Sequence, residues 1–226
     1  MAMSEHMVND LAQQYLDLVL EANKTINLTR ITNRDEAEVL HLEDSLVGLD
    51  EVNEAPAGLY GDLGSGGGFP GVPLALATGR ETVLVDSVKK KMAVVSQLID
   101  QLGLSNQITT CDDRIEDLAL DRPGSFSVLT ARALSRLVSL LELSSPLLVR
   151  GGRLVCYKAQ VSDEELNEAL AVQDLLGMKL ISERKTLLSD GETARTILVF
   201  EKMARARLKL PRRVGAAQKT PLKPRP

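Results

Sequence analysis

Apolar positions near the amino end recur at helical spacing: Val8, Leu11, Tyr15, Leu18, Val19 and Ala22 mark one face of a helix predicted over residues 8–23. A less regular set (Ala37, Leu40, Leu42, Leu46) predicts a second helix over 34–49. From about residue 58 the pattern changes. Short apolar runs at 59–63, 82–86, 107–111, 126–130 and 153–158 alternate with helical patterns at 71–78, 88–102, 114–119, 134–149 and 162–176. This alternation predicts βαβ units on a parallel sheet, and right-handed crossovers bring every strand's C-terminal end to one edge. That edge gathers Asp62, Asp86, Cys111 to Arg114, Thr130 to Arg132, and Lys158. Two further runs, 178–185 and 194–200, flank the turn signal Ser189-Asp190-Gly191, so they predict a hairpin that makes the last strand antiparallel.

These patterns divide the 226 residues into a helical extension packed on the core (1–57), a Rossmann-like α/β domain (58–203) and a C-terminal tail (204–226). Aromatic residues make up 3% and tryptophan is absent, so aliphatic side chains must fill the core. The formal charge of −4 conceals an asymmetry: residues 201–226 hold nine Lys or Arg against Glu201 alone, leaving +8 there and −12 on the other 200 residues. A basic tail on an acidic body can hold phosphates at one place or simply solubilise the chain. Pro211, Pro221, Pro224 and Pro226 argue against a continuous helix in it.

Several chemistries are disfavoured. Cys111 and Cys156 form no CxxC and sit among apolar neighbours as expected of buried free thiols, and with only His6 and His41 besides them no zinc cluster of normal spacing can be built, so no metal is expected. No Ser-His-Asp or Cys-His set is evident, which weighs against a hydrolase. No apolar run approaches the ~18 residues of a membrane span, so a cytoplasmic protein without membrane association is expected.

The segment Asp62 to Gly71 (DLGSGGGFPG) follows the first strand, and the second strand ends in Asp86. Glycines let a ligand lie against the backbone and meet amides at the start of a helix, and an acid about 20 residues on can accept from ribose hydroxyls. Two frames compete. Gly66, Gly68 and Gly71 fit the dinucleotide fingerprint GxGxxG, whereas Asp62, Gly64, Gly66 and Gly68 fit the acid-x-Gly-x-Gly-x-Gly pattern of class I S-adenosylmethionine methyltransferases. The glycines alone leave the cofactor open. A seven-stranded, mostly parallel sheet with an antiparallel last strand favours the class I methyltransferase fold over the two-half dinucleotide fold.

Six segments occur in one order: Asn23-Lys24-Thr25-Ile26-Asn27-Leu28-Thr29, His41-Leu42-Glu43-Asp44-Ser45, the Asp62 to Pro73 turn, Leu84-Val85-Asp86-Ser87 followed by Lys89-Lys90-Lys91, Thr130-Ala131-Arg132-Ala133, and Leu210-Pro211-Arg212-Arg213-Val214-Gly215. Together, over residues 11 to 222, they resemble the RsmG (GidB) family of 16S rRNA guanine-N7 methyltransferases. The chain departs from the family at Asp113, Ala159 and Ala216, where Gly, Gly and Pro are usual. The resemblance implies methyl transfer from S-adenosylmethionine to N7 of guanine 527 in the 530 loop, with 16S rRNA or the small ribosomal subunit as partner.

Guanine N7 presents its own lone pair, so the implied reaction needs alignment and no acid or base. Arg132 and Lys158, expected just past the fourth and fifth strands, would position the acceptor. Asp62 can orient turn amides or face the methionyl ammonium group. Gly64, Ser65, Gly66, Gly68 and Phe69 would hold the methionyl end, Asp86 with Ser87 the ribose, and Arg114, Ile115 and Glu116 the adenine, with Arg132 also at the cofactor. Asp86 can alternatively cap the next helix. Arg132, Lys158, Arg195, Arg212 and Arg213 are the expected RNA contacts, and His41, Asp44 and Ser45 are expected to fasten the N-terminal helices over the cleft. Rival readings are a small-molecule methyltransferase on this fold, a non-catalytic RNA-binding protein and, from the other glycine frame, a nicotinamide-dependent oxidoreductase.

Overall fold

The computed structural model describes residues 5–223; residues 1–4 and the tail residues Pro224, Arg225 and Pro226 lie outside the described residues. Strands β1 (Leu59–Leu63), β2 (Thr82–Val85), β3 (Ile108–Cys111), β4 (Phe126–Arg132), β5 (Leu148–Lys158), β6 (Met178–Leu187) and β7 (Ala194–Lys202) form one sheet in the order β3-β2-β1-β4-β5-β7-β6. β7 pairs antiparallel with both β5 and β6, and the other pairings are parallel, so the expected hairpin and its antiparallel strand are present. The order reverses between β1 and β4. In such sheets, ligands bind at that reversal, beyond the strands' C-terminal ends.

Helices α1 (Glu5–Asn23), α2 (Arg34–Ala37), α3 (Asp44–Leu46), α4 (Leu49–Asn53), α5 (Gly71–Thr78), α6 (Lys89–Gln101), α7 (Ile115–Asp121), α8 (Leu137–Ser144), α9 (Asp163–Gln173) and α10 (Ala216–Lys219) surround the sheet. The period-2 alternation of β2 sorts its side chains. Leu84 joins Tyr15, Leu16, Val19, Val72 and Val95 in a core shared by α1, α5 and α6, whereas Val83 and Val85 join Leu118, Leu141 and Val172 of α7, α8 and α9 on the opposite face. The amino-terminal helix therefore shares the core. Its fully buried Leu16 and Val19 contribute about 1.5–3 kcal/mol each.

Two expected elements differ in extent. The helix predicted over 34–49 starts at an Asn33 cap, whose side chain accepts from Glu36 N at 2.9 Å, then widens into a π turn over Glu38–Glu43 and stops after α3. What stops it is distant in sequence: the Tyr157 hydroxyl donates to Ser45 O (2.8 Å) and accepts from Gly48 N (3.1 Å). A Cβ at Gly48 would collide with the Tyr157 ring, so glycine is what admits it. The helix predicted over 134–149 shrinks to α8 because β5 begins at Leu148, five residues early. Gly151 (φ +81°) and Gly152 form an irregularity within β5, where the register slips from Phe126↔Leu148 to Val128↔Arg153. β4 and β5 also run to Arg132 and Lys158, which makes those residues the last of their strands and not the first beyond them.

Candidate active site

β1 delivers the chain into a turn held at several points. Gly64 N and Ser65 N donate to Val85 O at 2.8 and 3.0 Å, which ties the turn to the end of β2. Gly64, Gly66 and Gly68 take φ of +74°, +57° and +87°, where a side chain would strain the backbone. Tyr15 of α1, fully buried, donates its hydroxyl to Gly67 O at 3.0 Å, so the first helix supports the turn directly.

Asp62 is fully buried, with Oδ2 accepting from Gly71 N (3.0 Å) and Oδ1 from Thr130 Oγ1 (2.8 Å). Of the two roles expected for it, the one visible in its contacts is orientation of turn amides. Asp86 Oδ2 accepts from Gly66 N (3.0 Å) and Oδ1 from Val88 N (2.9 Å), so it braces the turn and the start of the next helix together. A carboxylate offers about four acceptor positions, which leaves room for two hydroxyls. The Ser65 hydroxyl is buried beside Asp62 and helps to stabilise its carboxylate. The Phe69 ring packs edge-on to Tyr15 (5.6 Å) and stacks on His41 (4.6 Å), which ties the turn to the N-terminal helices.

Beside the turn, Gly64, Asp86, Ser87, Arg114, Ile115 and Glu116 line one cleft. Its remaining wall was missed in the sequence: Leu134, Leu143, and Gly215 and Gln218 from the tail. The tail is fastened there. Gly215 N donates to Glu116 Oε1 (2.7 Å), Ser139 Oγ to Ala217 O (2.7 Å), and Arg212 makes a two-pronged pair with the buried Glu142 (2.7 and 2.6 Å) and reaches Thr220 O. Arg212 is therefore an anchor and not a free RNA contact, because its guanidinium is already matched in shape and charge. Arg213 beside it is exposed.

At the ends of β4 and β5 a second depression opens, lined by His41, Asp44, Arg132, Ala133, Lys158 and Arg195 among others. Asp44, 1% exposed, sits between two guanidinium groups: Arg132 reaches Oδ2 at 2.6 Å, and Arg195 reaches Oδ1 at 2.7 Å and Oδ2 at 3.2 Å. Arg132 also donates to Leu40 O (3.0 Å). Lys158 pairs with Glu165 at 2.7 Å and donates to Ser135 O at 3.2 Å. Three expected RNA contacts thus converge on one depression, each engaged with a protein partner. The backbone of Ala133 has φ +54°, an uncommon state for a residue with a side chain, at the mouth of the same depression. His41 Nε2 meets Thr29 Oγ1 at 2.8 Å, and Ser45 donates to His41 O, so the 41–45 segment does fasten the helices here.

Burial, aided by the Arg132 charge, lowers His41 to about 4, so its ring is neutral at neutral pH. Burial raises Asp62 to about 6 against the opposing pull of Thr130, Ser65, Arg132 and Gly71. The two have opposite linkage. Below pH ~6.5 the unfolded state protonates histidine and the folded state does not, so His41 removes stability as pH falls towards 4. Asp62 holds its proton in the folded state between pH ~4 and 6, so it adds stability over the same fall. Asp62→Asn removes the second effect. Its stability relative to the wild type is expected to worsen by about 2 kcal/mol between pH 7 and pH 4 in urea melts. A gap independent of pH would disprove the assignment.

The strand order, the glycine turn and the acid at the end of β2 define the class I S-adenosylmethionine-dependent methyltransferase fold. Among solved structures it is similar to a geranyl diphosphate methyltransferase in complex with S-adenosylmethionine (TM-score 0.57, 15% identity, 75% of this chain and 89% of that one). It is also similar to an S-adenosylmethionine-dependent O-methyltransferase from Thermotoga maritima (TM-score 0.56, 14% identity, 83% and 72%). Residues 8–197 match the GidB family, rRNA small subunit methyltransferase G. Relatives named ribosomal RNA small subunit methyltransferase G include one from Streptococcus pyogenes, 37% identical over 214 residues (92% of this chain, 89% of the relative), and one from Lactococcus lactis subsp. cremoris, 36% identical over 218 residues (93% and 90%). The chain belongs to the GidB family and is an S-adenosylmethionine-dependent methyltransferase.

The residues present fit that cofactor: three left-handed glycines and a cleft passing the Asp86 carboxylate to Ile115. Among the described residues no helix is long and apolar enough to cross a membrane, and no cluster of three metal-ligating side chains is found.

Proposed function

We propose that the protein methylates N7 of guanine 527 in the 530 loop of 16S rRNA, within the small ribosomal subunit. The observation that carries the reading is the adjacency of two sites on one sheet edge: a cofactor cleft beside β1 and β2, and a cationic depression at the ends of β4 and β5. Membership of the GidB family supplies the acceptor.

Bound S-adenosylmethionine supplies an electrophilic methyl group on a sulfonium centre. The guanine needs no deprotonation, since its N7 lone pair lies in the base plane, and the residues of the depression agree with that. The neutral, buried His41 is lowered to about 4, so it is not suited to carry a proton. The chain's work is positional. Gly64, Ser65, Gly66 and Gly68 hold the methionyl end through the turn, with Asp62 fixing the turn's shape. Asp86 with Ser87 takes the ribose, and Arg114, Ile115 and Glu116 border the adenine. Arg132, Arg195 and Lys158 draw in the RNA. Asp44 neutralises one of the two arginines facing it, so an excess positive charge remains to attract phosphate or guanine O6 while N7 stays free. The exposed Arg213 adds a contact outside the depression.

Incubating the protein with labelled S-adenosylmethionine and either small subunits, naked 16S rRNA or a pool of small metabolites tests this. Label confined to N7 of guanine 527 is expected. Label at another base, or only in small molecules, would overturn the assignment.

A further inference from the structure

The tail supplies more than positive charge. Residues 208–222 cross the α8 side of the sheet: Leu208, Leu210 and Leu222 pack against the core beneath α7, α8 and α9, and Ala216 and Ala217 are buried. Three fastenings fix the middle of this strap, namely Arg212 to Glu142, Gly215 N to Glu116, and Ser139 to Ala217 O. Gly215 takes φ +77° and turns the chain into α10 at the cleft. There the strap places Gln218 on the wall that also contains Asp86, Ile115 and Glu116. The Gln218 side chain makes no hydrogen bond among the described residues, and the same holds for Ser87 and Arg114 in this cleft. One oxygen of the Glu116 carboxylate accepts from Gly215 N.

A carboxamide offers a donor and an acceptor side by side, which is the pattern that pairs with the N6/N7 edge of adenine, whose 6-amino group donates and whose N7 accepts. A 6-oxo purine reverses one member of that pair. We infer that Gln218 reads the purine edge of the cofactor, and that the strap exists in part to carry it there. Gln218 is then a specificity-determining residue for the cofactor, and Arg212 and Glu116 are positioning residues that hold it. This rests on the methyltransferase reading of the cleft. Removing Arg212 is then expected to loosen the strap and so to weaken cofactor binding as well as any RNA contact.

The test is calorimetric binding of two probes, S-adenosylhomocysteine and its 6-oxo analogue S-inosylhomocysteine, to the full chain and to Gln218→Leu. Position 218 is exposed, so the variant is expected to keep the wild-type melting temperature. The wild type is expected to prefer the adenosyl probe by roughly tenfold or more. In Q218L the adenosyl affinity is expected to fall roughly tenfold and the preference to collapse towards unity. An unchanged preference in folded Q218L would overturn the role of Gln218 while leaving methyl transfer intact. Failure of the wild-type protein to take up S-adenosylhomocysteine at all would overturn the methyltransferase reading, and this inference with it.

Discussion

Asp44→Ala is expected to lower the stability of the protein by about 3–5 kcal/mol, the range for stripping one partner from a buried ionic group. Asp44 is 1% exposed, and it is the acidic partner of both Arg132 and Arg195, whose side chains are 15% and 17% exposed. Removing it leaves two like charges facing each other in a half-enclosed site. Arg195→Ala is a milder change, since Asp44 keeps Arg132, and about 1–3 kcal/mol is expected. The two variants separate stability from function. In both, the cleft around Asp86 is untouched, so affinity for S-adenosylhomocysteine is expected to stay within about threefold of the wild type. Methyl transfer to small subunits is expected to be lost. Urea melts and calorimetry on the same samples check both parts; an Asp44→Ala cost below about 1 kcal/mol would mean that solvent already screens the pair.

Gly68→Ala is expected to be the most damaging single change to cofactor binding. Its φ of +87° is strained for any residue with a Cβ, and that Cβ would fall inside the Tyr15 hydroxyl. The turn and α1 must then separate, which also breaks the Tyr15 to Gly67 O bond. A loss of about 3 kcal/mol in stability and of at least a hundredfold in S-adenosylhomocysteine affinity is expected. Gly79 and Gly103 provide the control: both have positive φ with nothing within 4 Å of the added Cβ, so alanine there carries strain of only about 1 kcal/mol and leaves binding unchanged. Tyr15→Phe removes the atom that collides. If collision contributes, Gly68→Ala is expected to cost at least about 1 kcal/mol less in the Y15F background.

What could be read in the sequence was what depends on neighbours along the chain. α5, between the glycine turn and the Gly79 cap, agrees with its predicted span because its apolar positions and the glycines lie within a dozen residues. The acid at the end of β2 and the Ser189-Asp190-Gly191 turn are local in the same sense, and so is the alternation that gives β7 its direction. The failures trace to partners far along the chain. The break after α3 is caused by a hydroxyl from β5, the early start of β5 by a bulge opposite β4, and the fastening of Arg212 by Glu142 of α8. At the site, Asp62, Asp86 and the glycines stand where the pattern put them. The contacts of the Phe69 ring were not legible, because His41 and Tyr15 come from elements 28 and 54 residues earlier. Gln218 carried no signal at all: one amide in a basic tail becomes notable only when folding sets it beside Asp86.

The strap also has an implication for the order in which the molecule matures. Residues 208–222 follow all seven strands in the chain, so translation completes the sheet before it delivers the piece that closes the adenine wall. A premature stop codon just after β7 would yield a protein with its strands paired and its glycine turn formed, but with Glu116 and Glu142 deprived of their partners. Such a product would leave the buried Glu142 without its guanidinium and the core under Leu208, Leu210 and Leu222 uncovered, so late nonsense mutations should lower protein abundance as well as cofactor binding.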